Sequence, residues 1–271
     1  MWRCALSRAR WVGSSRDSGA WWSRSHDHCH ALRKHPQFGR NARKSEVLMS
    51  EQQTPIYGSH VELDGKMVPF AGFMMPVQYP MGIRAEHQHV RNQVGIFDVS
   101  HMGEFRVRGP KALETLQWLT TNDVSKLTAG KAHYSLLPNS AGGIVDDLIV
   151  YCIEPGEDYL LCVNAANIAK DFQFITENNR GADLDDQSSQ WGLIAVQGPQ
   201  ALSTLKNMSG LDLANQAPFT FVHWTYQGKT ALFRGPATPV RRGLKFSCPF
   251  HKPSSSGRSC WPKVSRCNPL A

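Results

Sequence analysis

Two adjacent carboxylates, Asp146 and Asp147, follow Gly142-Gly143 and interrupt an otherwise apolar run, with Ile144-Val145 before them and Leu148-Ile149-Val150 after. Successive side chains of a strand point to opposite faces, so one carboxylate faces the sheet's inner side and its neighbour faces out. On an apolar sheet face a carboxylate loses hydration and its pKa rises, which suits it to proton chemistry or to holding a ligand's N–H. At a strand end where the pleat is still wet, the same pair would be solvated and inert. Residue types alone leave both alternatives open.

A second cluster, Phe97-Asp98-Val99-Ser100-His101-Met102, puts Asp, Ser and His within four positions. A hydrolytic triad is assembled by geometry from separated segments, and neighbours on a strand point apart, so this adjacency argues against one. Asp98 and Ser100 read as turn residues and His101 as a polar strand residue. Cys248, Cys260 and Cys267 lie near His251 but lack the C-x-x-C pairs of a zinc site. Ala141-Gly142-Gly143 is too short for a phosphate-cradling loop, and no nucleotide fingerprint or metal-binding helix motif is present.

The elements that must position these residues follow from periodicity. Val61-Glu62-Leu63 and Lys66-Met67-Val68 flank Asp64-Gly65 and predict a hairpin. Ile83, Val90 and Val94 recur at helical spacing, with Gly95 as the stop. Phe105 and Val107 alternate with charged residues as a half-buried strand does, and Gly109-Pro110 then opens a helix with Ala112, Leu113, Leu116 and Leu119 on one side. Strands are expected over 144–153 and 159–163, then a helix that Asn164 caps, with Ile168, Phe172 and Ile175 on its apolar face. A buried strand at 193–196, a helix after Gly198-Pro199 and a hairpin over 219–226 and 230–233 complete the pattern.

The segment Val107-Arg108-Gly109-Pro110-Lys111-Ala112-Leu113-Glu114-Thr115-Leu116 recurs as Val196-Gln197-Gly198-Pro199-Gln200-Ala201-Leu202-Ser203-Thr204-Leu205, with seven identities in ten at a constant offset of 89. Duplication accounts for this better than chance reuse of a strand, Gly-Pro, helix junction. The expected fold class is therefore α+β, built of duplicated strand and helix halves.

The chain has 271 residues and a net charge of +8, but the charge sits at its ends. Residues 1–50 hold ten Lys and Arg against three acids, a net of +7; residues 235–271 hold seven and no acid, again +7; residues 51–234 carry a net of −6. Nucleic-acid binding requires a basic face on a folded unit, so the basic tails do not support it. No run of 18 apolar residues exists to cross a membrane as a helix. Seven cysteines, an odd and irregularly spaced set, point to reduced thiols rather than a secreted disulfide framework. The Arg- and Ser-rich residues 1–50 read as a disordered leader, either a mitochondrial transit peptide or translation upstream of a start at Met49.

Four motifs in order resemble the aminomethyltransferase (T-protein) family of the glycine cleavage system: Met67–Tyr79, Phe97–Met102, Gly142–Val150 and Ala195–Pro199. The resemblance covers about 54–234. It implies the family's ferredoxin-like folate-binding region, and a reaction in which the aminomethyl group on the dihydrolipoyl arm of a partner, the H-protein, passes to tetrahydrofolate with release of ammonia. Tetrahydrofolate is thus implied as co-substrate, with no metal, no nucleic acid and no membrane. By the motif, the first Asp of the pair, Asp146, is the catalytic residue, and Asn164, Tyr134, Met102 and Leu148 line the folate pocket. A cytoplasmic setting of bacterial type is implied, or the mitochondrial matrix if residues 1–50 are a transit peptide. Alternatives within the superfamily are a non-catalytic folate-binding protein and the folate domain of a sarcosine- or dimethylglycine-oxidising enzyme.

The resemblance stops at Arg234. Where the family continues with Gly-Tyr-Thr-Gly-Glu, this chain reads Gly235-Pro236-Ala237-Thr238-Pro239-Val240-Arg241. Back-translating 236–241, with Arg241 as AGR, and reading from the third base of each codon gives codons that can spell Gly-Tyr-Thr-Gly-Glu without conflict. Residues 235–271 are therefore expected to be a frame-shifted, non-native tail, with the pterin-holding Glu and the C-terminal barrel domain missing and activity impaired.

Overall fold

The computed structural model describes residues 51–226, 229–235 and 243–249. Three sheets organise them. A small sheet joins β1 (Gln52–Gln53), β3 (Phe73–Gln78) and β2 (Lys66–Phe70) in the order β1-β3-β2. A five-stranded sheet, which we call the front sheet, contains β5 (Gly103–Arg108), β6 (Ala132–Pro138), β7 (Ile144–Glu154), β8 (Asp158–Val163) and β9 (Asp183–Asp186) in the order β6-β7-β8-β5-β9. The back sheet contains β4 (Gly95–Asp98), β10 (Trp191–Gln197), β11 (Phe221–Tyr226), β12 (Lys229–Arg234) and β13 (Gly243–Pro249) in the order β11-β12-β13-β10-β4. Five α-helices accompany them among the described residues: α1 (Tyr57–Glu62), α2 (Ile83–Asn92), α3 (Ala112–Leu119), α4 (Ile168–Glu177) and α5 (Ala201–Ser209).

The central strands of the front sheet, β8 and β7 beyond its two aspartates, are apolar on both faces because both are covered. One face of β7 carries Leu148, Val150 and Cys152, which pack with Phe105, Val107, Leu161 and Val163 under α3 and α4. Its other face carries Ile149, Tyr151 and Ile153, which meet Trp191, Leu193, Phe221 and Leu232 of the back sheet. Beyond the back sheet, Ile194, Val196 and Phe233 pack under α5 through Ala201 and Leu205. The order of layers is helices, front sheet, back sheet, helix.

The internal repeat is structural as well as sequential. The strand ends Arg108 and Gln197, and the helix starts Ala112 and Ala201, keep the offset of 89. The turns between them match bond for bond: Ala112 N donates to Gly109 O at 2.9 Å and Ala201 N to Gly198 O at 3.1 Å. One copy stands in each large sheet, so the duplicated α+β halves face each other across the second core.

Three local expectations change. Asp64-Gly65 is not a hairpin turn: residues 57–62 are helical, Gly65 N bonds back to His60 O at 2.8 Å, and Asp64 takes a positive φ, so this dipeptide stops a helix. The hairpin lies further on, where Ala71 and Gly72, both at positive φ, form the two-residue turn between β2 and β3. Gly95 opens β4 rather than ending α2, which stops at Asn92. The sequence predicts no element after Arg234, yet Gly243–Pro249 forms β13 between β10 and β12. Its Leu244, Phe246 and Cys248 alternate with Lys245 and Ser247, the period of a strand. The leader, the rest of the expected tail and the Cys260, Cys267 and His251 positions lie outside the described residues. Among the described residues no helix is long and apolar enough to cross a membrane.

Candidate active site

Asp146 and Asp147 sit at the start of β7, where the strand leaves the Gly142-Gly143 turn. Pleating sends Asp146 to the face of Leu148 and Val150, under the helices, and Asp147 to the face of Ile149 and Tyr151. Both remain partly exposed. Asn164, just past the end of β8, ties them together. Its Nδ2 donates to Asp146 Oδ1 at 3.0 Å, to Asp147 Oδ1 at 3.0 Å and to the Asp147 carbonyl at 3.2 Å. Asn164 makes no capping bond to the 3-10 turn Ala165–Asn167 that leads into α4, so the expected cap is corrected. Its amide is already committed to the two carboxylates.

Behind Asp146 lies a third carboxylate, Asp171, fully buried on α4 and within hydrogen-bonding reach of it. Burial by itself raises the Asp146 carboxyl, but hydrogen bonds from Asp171, Asn167 and Asn164 outweigh it and hold Asp146 below the usual carboxylate range. Asp171 moves the other way. Burial, the hydrogen bond to Asp146 and the negative charge beside it push Asp171 up to about 8.

The residues implied for the pocket divide between the two faces. Tyr134 on β6 lies opposite Ile149, and its neighbour Leu136 lies opposite Asp147, so Tyr134 is the diagonal neighbour of Asp147 on one face. Its side chain is 48% exposed. Met102 packs on the same side, against the core between the sheets. Leu148 shares the other face with Asp146 and is 2% exposed inside the core under α3 and α4, so its side chain serves packing. Asn164 bonds a carboxylate from each face.

Asp98, Ser100 and His101 form no triad. Asp98 instead bonds His60, Nε2 to Oδ2 at 3.0 Å, and His60 Nδ1 lies 2.7 Å from the Tyr79 hydroxyl. Ser100 is bound to the main chain of Leu193, and His101 lies against the rings of Phe70 and Phe73. Burial tends to raise Asp98, yet hydrogen bonds from His60, Ser100 and Thr54 lower it overall. Burial and the Asp98 and Glu86 charges push the Tyr79 hydroxyl up to about 12. This chain fastens α1 to β3 and β4.

A second long-range pair joins the large sheets. Arg234 of β12 donates through Nη1 and Nη2 to both oxygens of Glu104 on β5, at 2.8 and 3.0 Å, and its guanidinium lies 4.5 Å from the centre of the Tyr151 ring. Neither pair could be read from spacing, because the partners are 38 and 130 positions apart. Asp171 did carry a signal: it occupies the i+3 position of the stripe Ile168, Phe172, Ile175, where an acid is out of place.

Comparison with known proteins agrees with this architecture. Residues 56–234 match the family described as the GCVT N-terminal domain. An aminomethyltransferase of Bdellovibrio bacteriovorus is 55% identical over 177 residues, covering 65% of this chain and 49% of that protein. One of Thermus thermophilus is 49% identical over 167 residues, covering 61% and 47%. The crystal structure of the glycine cleavage system aminomethyltransferase T from Bartonella henselae aligns with a TM-score of 0.67 at 31% identity, covering 74% of this chain and 54% of that one. The chain spans about half the length of the curated relatives it matches.

Proposed function

The chain belongs to the aminomethyltransferase family defined by the GCVT N-terminal domain, and from that premise we propose that residues 54–234 form the tetrahydrofolate-binding region of a glycine-cleavage aminomethyltransferase. The reaction we assign moves a one-carbon unit from the aminomethylated dihydrolipoyl arm of an H-protein to tetrahydrofolate and releases ammonia. One observation carries the site: the Asn164 amide ties together two carboxylates at the open end of β7, and the face of one of them, Asp147, also bears the half-exposed Tyr134 ring.

A reduced pterin presents N–H donors around a flat ring, and carboxylate acceptors beside an aromatic face match both features. When bound, tetrahydrofolate supplies the amine that takes up the one-carbon unit. The pleat divides the protein's part of the work. Asp147, on the side of Tyr134 and Met102, is the carboxylate we assign to hold the pterin N–H and accept its proton. Asp146, to which the motif gives catalysis, turns under α4 towards Asp171, and we assign it to hold Asn164. Tyr134 and Met102 line the pocket, and Leu148 supports it from the core. We place the protein in the cytoplasm on the strength of its bacterial relatives.

Asp146→Asn and Asp147→Asn separate the roles. Ammonia release from aminomethylated H-protein, with tetrahydrofolate affinity measured alongside, is compared with the unchanged chain. Loss of a proton-accepting carboxylate costs about 10²–10⁴-fold in turnover, so D147N is expected to fall in that range and D146N to weaken folate binding with a smaller loss. The reverse pattern would return catalysis to Asp146. An unchanged chain that does not bind tetrahydrofolate would reject the function; low turnover alone would not, because the missing pterin-holding Glu and barrel domain are expected to impair activity.

A further inference from the structure

The mechanism above leaves one buried acid unused, and its surroundings define what it does. We propose that Asp171 is the positioning residue of this carboxylate site: at neutral pH it carries the one proton of an Asp146–Asp171 pair, so that Asp146 stays ionised and holds the Asn164 amide against Asp147. This rests on reading these carboxylates as the co-substrate site, and it adds what fixes their charge.

Three oxygens make the case. Asp171 has no exposed surface, and neither of its carboxyl oxygens has a hydrogen-bond partner among the donors of the described residues; Asp146 Oδ2 is buried in the same condition. The acids lie within hydrogen-bonding reach of each other, so the missing donor is a proton between them. Two ionised carboxylates side by side in a dry site repel, and a pair holding one proton is the lower-energy state. Asn164 and Asn167 donate to Asp146 and offer nothing to Asp171, so the proton resides on Asp171 and the charge on Asp146.

The groups that face Asp171 are Asp146 and Asp147 from β7, with Lys170 from its own helix. Lys170 opposes the shift only in part, because its Nζ donates to the Val145 carbonyl at 2.8 Å. When Asp171 loses its proton, a second negative charge appears behind Asp146 and the hydrogen bond between the acids is lost. The Asn164 amide, bound to both Asp146 and Asp147, must then reorient.

Carbon-13 NMR of the full chain labelled at the Asp carboxyls, with nitrogen-15 detection of the Asn164 side chain, tests this. The Asp171 carboxyl is expected to titrate with a midpoint near 8, and the Asn164 amide to shift with the same midpoint. In Asp171→Asn, whose amide can still donate to Asp146 but cannot titrate in this range, the step should vanish from both signals. A folded wild-type chain with no carboxyl midpoint above 6, or an Asn164 amide that ignores the step, overturns the proposal whether or not the variant folds. Added tetrahydrofolate is read separately: if it leaves the Asn164 amide unmoved, the co-substrate reading fails while the measured charge of the pair stands.

Discussion

Replacing Arg234 with Met removes the guanidinium but leaves Glu104 where it is, 1% exposed between two sheets. Two charge-assisted hydrogen bonds at 2.8 and 3.0 Å vanish together, and the carboxylate keeps no cation beside it. Breaking a buried pair from one side costs about 3–5 kcal/mol, mainly because the surviving charge is stranded. Glu104→Leu strands the guanidinium instead, but the Tyr151 ring remains 4.5 Å away. Contact with an aromatic face is worth about 2 kcal/mol when desolvated, so this variant should lose less, about 1–3 kcal/mol. The double variant removes both charges and fills the site with apolar atoms, which is often near neutral. Urea unfolding followed by circular dichroism would give all four corners of the cycle, and the coupling between the sites should be about 3 kcal/mol or more. If both single variants lie within about 1 kcal/mol of wild type, or if the double loss equals the sum of the singles, the pair does not hold the sheets as argued.

The repeat supplies a paired test: Gly109 and Gly198 occupy equivalent turns at φ of 90° and 123°, but only the second is crowded, with a built Cβ 2.3 Å from the Gln93 carbonyl oxygen. Gly198→Ala is expected to cost well above the about 1–3 kcal/mol of backbone strain that Gly109→Ala incurs, and equal losses in thermal unfolding would contradict that contact. Asp98 is held below its ordinary pKa when folded, so its contribution is present above the unfolded value of about 4 and is lost as pH falls through the folded value. Asp98→Asn should therefore flatten the acid limb of the stability curve, and an unchanged limb would remove Asp98 from the account. Between codons 236 and 241, the nucleotide sequence read from each third base should spell Gly-Tyr-Thr-Gly-Glu; an immediate stop in that frame ends the frame-shift proposal.

Local patterns were legible and distant partnerships were not. The strand, Gly-Pro, helix units were readable because a period of two gives way to a period of 3.6 at a turn residue, and that change lies within ten positions. Asp64-Gly65 misled because the same dipeptide that turns a hairpin can also stop a helix, and only the bond from Gly65 N back to His60 O distinguishes them. Asn164 misled in a related way. Asn before a helix signals a cap, but here the amide had better acceptors across the sheet.

The carboxylate pair shows where a motif ceases to inform. Matching residue types picks out Asp146-Asp147 as a unit and says nothing about which face each occupies. Strand alternation guarantees that they part; the neighbours decide what each meets. Pairing with β6 sets Asp147 diagonal to Tyr134, and the stripe of α4 sets Asp171 against Asp146. An acid inside an apolar helical stripe requires a partner that can share or supply a proton. On this fold, the strand end that offers one carboxylate to the open face supplies the other as that partner. On the assignment proposed above, the second aspartate is the one that acts on a ligand, and the first is the one that keeps the site in order.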